Sequence, residues 1–335
     1  MKPKIKRLSA FFSYDTFKIT ELNKHRSVLF GLSILLVIIY HIWCDTQVSE
    51  LSIFRMGYIG VDVFLFLSAL GCSYAYNKYD IMTFYLRRFL RIIPINCVFV
   101  IICGVLSTFV WGNAWSLSKW LLSLSAFEFF NPHLSGPNWY IAALLIFYTF
   151  FPLLYLIVKK MSRLAIYAAF FISFLFLYLI HDITWYHSCF ISRIGVFLLG
   201  ILCYLLASKQ EKYTGVEVIV MAMIAIIVNA YMHLMFLTTA LFAPAFIAVC
   251  LYFIRLFSQV NILMKLLSIL GKYSLEIFLG NNITRTFIFH IDSTHIPFVQ
   301  LFIVHFLGTL LIGCCLSIIN KPLSIFLHNR VLLKT

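Results

Sequence analysis

The chain has 335 residues, 62% of them hydrophobic and only 11% charged, with a mean hydropathy of +0.97. An average soluble domain is about 25% charged, so this chain has too few charges to cover a globule in water. A soluble enzyme, a disordered chain and a secreted disulfide scaffold are excluded, which leaves a polytopic membrane protein. The net charge of +14 then reports on orientation, and no nucleic acid is expected as a partner. Most of the nine cysteines fall within apolar runs and behave as small hydrophobes. Only Cys44 and Cys189 lie near ends where they could meet, and no Cys or His spacing marks a metal site.

A basic tail over residues 1–27 comes first. It resembles the start of a signal sequence, but no small-residue cleavage site follows the first apolar run, so that run is expected to stay as a helix. A spanning helix needs about 20 mostly apolar residues. Ten segments meet that need: 28–44, 57–77, 92–111, 138–158, 163–180, 189–207, 216–233, 237–257, 268–289 and 297–319. Segment 115–130 is interrupted by serines, Lys119 and Glu128 and reads as an amphipathic surface helix. Residues 320–335 read as a second tail. With the N-terminus inside, all but four of the 26 Lys and Arg residues face the cytoplasm. Arg55 and Lys119 fall in outer loops, and Arg193 and Arg285 fall inside spans. That asymmetry is the positive-inside pattern. The expected fold is therefore an all-α polytopic membrane bundle of about ten transmembrane helices, with both termini cytoplasmic and one membrane domain over 28–319.

Ionisable groups at membrane depth are costly, so each is a functional candidate. His41 stands in the outer third of the first span and reads either as an interfacial residue or as a proton acceptor. Asp62 and Arg193, near outer ends, read either as an interhelical pair or as part of the chemistry. Arg285 can snorkel outward, and Lys272 with Glu276 has the spacing of a helix-face pair. His133, His181, His187, His290 and His295 read as solvated loop histidines. At the inner end of the third span, FYLRRFLRIIP (84–94) places Arg88 and Arg91 on one helix face. Their forked guanidinium groups suit phosphate oxygens, whether of a bound ligand or of membrane lipid headgroups.

Five blocks, in order, resemble the acyltransferase 3 group of integral-membrane O-acyltransferases. GLSILLVIIYH (31–41) is similar to that family's opening helix, which ends in the histidine regarded as catalytic. YIGVDVFLFLSALG (58–71) resembles its GVDxFFxLSG block, and FYLRRFLRIIP its F-x-x-x-R-x-x-R-I-x-P element. Trp139, Tyr148 and Pro152 reproduce the spacing of a fourth motif, and LGKYSLEIFL (270–279) resembles the late-helix block. Ala69 stands at the place of a usual glycine, with Gly71 two residues later, and three further positions depart from the pattern. Phe30 stands where an arginine is usual, with Arg26 one turn before it. Leu144 replaces a glutamate, and Asn281 a histidine.

The resemblance implies transfer of an acyl group, usually acetyl, from cytoplasmic acetyl-CoA or another acyl-CoA to a hydroxyl of a cell-envelope glycan or glycolipid. It implies a multi-pass protein of the plasma (inner) membrane, with no permanently bound cofactor and no metal. His41 would be the catalytic base or an acyl carrier, with Asp62 orienting its ring. Arg26, Arg88 and Arg91 would hold the donor's phosphates, while Trp139 and Arg193 would meet the acceptor. A transporter or flippase for a lipid-linked sugar, or an inactive scaffold of a glycan-assembly complex, is the alternative reading.

Overall fold

The computed structural model describes residues 19–46, 48–131, 138–179, 184–209, 215–232, 235–290 and 297–331. Among the described residues the regular structure is all helical. In chain order the helices are α1 (Ile19–Lys24), α2 (Arg26–Thr46), α3 (Ile59–Lys78), α4 (Ile81–Phe109), α5 (Leu117–Leu124), α6 (Trp139–Lys160) and α7 (Arg163–Leu179). Then follow α8 (Trp185–Ser208), α9 (Gly215–Met232), α10 (Met235–Leu256), α11 (Asn261–Lys272), α12 (Ser274–Phe289) and α13 (Phe298–Val331). A 3₁₀ segment, Ser49–Tyr58, links α2 to α3.

Capping chemistry explains where several helices begin. Asp80 accepts a hydrogen bond from the Thr83 amide at 2.9 Å and opens α4. Hydrogen bonding to Thr83 also holds the Asp80 carboxyl below its usual range. Ser116 accepts from the Lys119 amide at 3.2 Å and opens the surface helix α5. That helix is shorter than expected because the chain turns at Ala126, at φ 60, into the short 3₁₀ segment Phe127–Phe130.

Among the described residues six helical stretches are long and apolar enough to cross a bilayer: Arg26–Thr46, Leu51–Lys78, Ile81–Phe109, Trp139–Lys160, Trp185–Ser208 and Phe298–Leu327. Glu217–Ile227 and Ala240–Leu256 are shorter apolar helices. Large apolar side chains on α4, α6 and α13, among them Ile101, Phe150, Leu153, Ile303 and Leu311, point out of the bundle. A bilayer satisfies such a surface and water does not. The protein is a multi-pass membrane protein.

Two expectations change. Segment 268–289 is not one helix: the backbone leaves helical geometry at Tyr273 (φ −105, ψ 20), and α11 and α12 meet there. The break removes the helix face on which Lys272 and Glu276 were to pair. Glu276 instead accepts a hydrogen bond from Asn320 Nδ2 at 2.7 Å, and the Lys272 ammonium lies 5.3 Å from the Tyr273 ring centre. The second change is at the far end, where residues beyond 319 remain helical through Val331 despite Pro322. The N-terminal tail up to residue 18 lies outside the described residues.

α2 stands at the centre, against α3, α10, α11, α12 and α13. α3 is buried on nearly every face from Ile59 to Ser73 and packs along α8, as an all-round apolar helix must. α12 and α13 approach backbone to backbone, where a Cβ on Gly280 would lie 2.7 Å from Gly313 N. Small residues permit such approach between membrane helices.

Asp62 and Arg193, both fully buried, tie α3 to α8. Arg193 Nε lies 3.2 Å from Asp62 Oδ1, and its guanidinium also donates to Ser192 Oγ at 2.7 Å. The same group stacks 4.2 Å from the Tyr58 ring centre and 5.9 Å from that of Trp139. Cys189 is a free thiol that accepts from the Tyr58 hydroxyl at 2.8 Å, and Cys44 is likewise free. Breaking one partner of a buried pair costs about 3–5 kcal/mol. Arg193→Leu should therefore lower the melting temperature in detergent markedly, and Asp62→Leu added to it should restore most of the loss.

Candidate active site

Helical spacing places two polar clusters along α2. Arg26 opens the helix, and His41 stands about 22 Å further along its axis at ~1.5 Å per residue.

At the His41 end three helices converge. His41 and Asp45 lie one turn apart on α2, and Asn281 and Arg285 one turn apart on α12, so each pair shares a face. His305 comes from α13. The His41 imidazole is half-buried and turned inward, with its Nδ1 3.1 Å from both Oδ1 and Nδ2 of the Asn281 amide. His305 Nε2 lies 3.4 Å from the same Oδ1, and His305 Nδ1 faces Asp45 Oδ2 at 3.7 Å. Arg285 grips Asp45 with both edges of its fork: Nη2 at 2.7 Å from Oδ1 and Nε at 3.0 Å from Oδ2. Bidentate geometry of this kind marks an ionised carboxylate. Arg285 therefore faces inward instead of snorkelling, because Asp45 gives it a partner within the bundle.

Asn281 holds the place beside the imidazole that Asp62 was expected to take, and Asp62 is engaged by Arg193 (above). Trp139 and Arg193, expected to meet an acceptor, are buried together in that same interior pair. His187 bonds Thr184 Oγ1 at 2.7 Å, and His290 stacks on Trp111 at 4.4 Å. His133, His181 and His295 lie outside the described residues.

Sequence reading does not single out Asp45 and His305. The available signals were the one-turn offset of Asp45 from His41 and a lone histidine inside the apolar run of α13.

At the other end of α2 the guanidinium groups gather around Gly71. Arg88 Nη2 donates to the Gly71 carbonyl at 2.6 Å, and Arg26 Nη2 to the Leu67 carbonyl at 3.0 Å. A Cβ on Gly71 would lie 2.5 Å from Arg26 Nη1, so glycine provides the room for that side chain. Arg26 and Arg91 line a cavity of about 480 Å³, counting its open mouth, together with Phe30, Tyr140, Leu144 and Phe278. A second cavity of about 710 Å³ adjoins it through Arg91 and Leu275, and adds Arg87, Lys272 and Glu276.

Aromatic rings continue inward from this mouth. Phe30 stacks on Phe64 at 5.3 Å, and Tyr140 meets Phe278 at a tilt with ring centres 4.9 Å apart. Phe278 is one helical turn from Asn281. Among the described residues no carboxylate lies within ion-pair distance of Arg26, Arg88 or Arg91. Nε of both Arg26 and Arg88 is buried without a hydrogen-bond acceptor among the described residues. Unsatisfied buried donors on cations need an explanation, and an anionic ligand is a physical one. Phe30 and Leu144, two of the positions that depart from the family pattern, line this cavity, while the third, Asn281, bonds His41.

An inward-turned histidine centre and a basic vestibule at opposite ends of one helix define the site of a multi-pass membrane protein. The sequence profile of the acyltransferase 3 family, described as an acyltransferase domain, matches residues 29–319, and the chain belongs to that family of membrane acyltransferases. It is similar to acyltransferase MdmB of Streptomyces mycarofaciens, with 31% identity over 135 residues, covering 35% of this chain and 34% of that protein. The match thus spans about a third of that relative's length. No solved structure matches the chain.

The Gly71 contact carries its own check. Gly71→Val should cost about 1–3 kcal/mol through overpacking, read as a lower melting temperature. Arg26→Ala in the same chain should recover most of it, since the Arg26 guanidinium is the group displaced.

Proposed function

We propose that the protein is an O-acyltransferase of the plasma (inner) membrane. It moves an acyl group, acetyl in the first instance, from a cytoplasmic acyl-CoA to a hydroxyl of a cell-envelope glycan or glycolipid. The observation that carries this reading is an inward-held imidazole at one end of α2, with guanidinium groups at the other that meet no carboxylate among the described residues. The placement of Lys and Arg along the sequence favours about ten spans, with both termini and the arginine vestibule on the cytoplasmic side.

In this reading Arg26, Arg88 and Arg91 receive the phosphates of the donor, for which forked donors are suited. The aromatic and aliphatic walls formed by Phe30, Phe64, Leu144 and Phe278 accommodate its uncharged arm. The acceptor hydroxyl approaches from the outer side and attacks the thioester carbonyl as its proton passes to Nε2 of His41. The tetrahedral adduct then collapses, the C–S bond breaks, and the departing thiolate takes the proton back. An ester and free coenzyme A result, and the imidazole is neutral again. Histidine suits this exchange near pH 7.

The test uses membranes from a strain lacking this gene, complemented with the protein or a variant and supplied with radiolabelled acetyl-CoA. His41→Ala should lower label transfer to glycan by about 10²–10⁴-fold with membrane insertion unchanged, and full activity of that variant would remove His41 from the mechanism. Arg91→Ala should raise the apparent KM for acetyl-CoA about tenfold, as expected for one lost charge-assisted hydrogen bond. An unchanged KM would mean that this arginine anchors lipid. Label that stays in the donor while sugar crosses the membrane would identify a transporter.

A further inference from the structure

Between His41 and Asp45 lies a chain of polar groups whose direction is fixed at one end. Asp45, gripped by Arg285 through both oxygens, is a carboxylate and can only accept. His305 Nδ1 faces it at 3.7 Å. That contact is electrostatic, being longer than a hydrogen bond, and it favours hydrogen on the nitrogen facing the negative charge. A neutral His305 carrying its hydrogen at Nδ1 presents a lone pair at Nε2, towards Asn281. The amide is then turned over, Oδ1 and Nδ2 exchanging places, so that it meets His305 with its N–H and keeps its oxygen for His41. Since both amide atoms stand 3.1 Å from His41 Nδ1, this orientation costs nothing at the imidazole. The oxygen takes the hydrogen of His41 Nδ1, which leaves the lone pair on Nε2. Nε2 makes no hydrogen bond among the described residues.

We infer that Asn281, His305 and Asp45 form a positioning relay that selects the Nδ1–H tautomer of His41 and keeps Nε2 as the reacting nitrogen. The inference rests on His41 being the base of the proposed reaction. None of the three relay residues touches substrate. Each acts through the next, and the chain crosses three helices, from α12 to α13 to α2. The wrong tautomer would place a hydrogen where the acceptor's proton must go. The relay also meets the charge that forms on the ring during the transfer, because the amide oxygen and then Asp45 lie on its far side. Arg285 keeps Asp45 ionised and fixed, and its own charge is spent on that carboxylate.

The closing experiment compares steady-state acetyl transfer in membranes carrying Asn281→Leu, His305→Leu, His305→Gln and the double Asn281→Leu/His305→Leu, with His41→Ala alongside. Each leucine variant should lower kcat about 10²-fold, the scale expected from misplacing a catalytic group, with KM for acetyl-CoA unchanged. The double variant should cost little more than either single change, because residues acting as one unit are strongly non-additive. His305→Gln should recover most of the rate, since its amide can still accept from Asn281 and donate towards Asp45. A merely structural histidine would be replaced by leucine as well as by glutamine in this apolar setting, and the two losses would then add. Equal activity of His305→Leu and His305→Gln, or additive losses, would overturn the relay while an inactive His41→Ala left the acyltransfer reading standing. An active His41→Ala would instead remove the base, and the relay with it.

Discussion

The bidentate contact between Arg285 and Asp45 is the interaction on which the centre of the bundle depends. In a bilayer an isolated charge has no water to turn to, and neither side chain could occupy its depth without the other. Fulfilling that requirement fixes α2 against α12 in one register, because a fork and a carboxylate meet in a single geometry. Gly280 and Gly313 then bring α13 close to α12. Asn281, one turn from Arg285, and His305, on the facing helix, arrive at His41 as a consequence. The second buried pair, Asp62 with Arg193, does comparable work between α3 and α8, away from the imidazole. Two ion pairs of similar composition thus have different consequences, set by which helices they join.

The two ends of α2 are in contrasting electrostatic states. Around His41 every charge is met: Asp45 by Arg285 and by the edge of His305, and the imidazole by an amide. Around Gly71 Arg26 and Arg88 meet carbonyl acceptors and Arg91 lines the adjoining cavity, and none of the three has a counter-ion among the described residues. Interior charges are only weakly screened, so the first state is rigid and the second is incomplete. A site that must hold one ring within fractions of an ångström benefits from the first condition. A site that must take up and release an anionic ligand on each cycle benefits from the second, since a resident carboxylate would compete for the same donors. On the proposed reaction, binding and chemistry are divided along one helix, and the apolar walls between them keep water from the thioester.

Much of the fold was legible in the sequence because the bilayer imposes a length and a hydropathy on each span. Segments such as 28–44 and 138–158 coincide with α2 and α6 for that reason. The break at Tyr273 was not legible, because Gly271, Lys272 and Tyr273 sit in an apolar run that a hydropathy window reads straight through. His41, Arg88 and Arg91 could be picked out from charge at membrane depth and from ordered motifs. Asp45 and His305 could not. Asp45 stands at the end of its helix, where a carboxylate normally solvates, and His305 is a lone polar residue in the apolar run 301–308. Only the convergence of α2, α12 and α13 makes them parts of one network, and that convergence is set by glycine contacts and ion pairing across long sequence separations.

The departures from the family pattern make sense once their positions are compared. Phe30 and Leu144, standing where an arginine and a glutamate are usual, line the same cavity, so one cation and one anion are absent together and the local charge balance is kept. Arg26, one turn nearer the mouth, opens into that cavity and lies 5.3 Å from the Phe30 ring centre, so positive charge is carried at a new height without a carboxylate beside it. Exchanging a buried ion pair for apolar contact is often neutral or stabilising, which makes the paired change physically cheap. At the third position, Asn281 keeps a hydrogen-bonding group against His41 in a side chain that does not titrate. The imidazole is then the one group at that contact whose protonation can change, and the direction of its hydrogen bond is set from Asp45 rather than by a second ionisable partner.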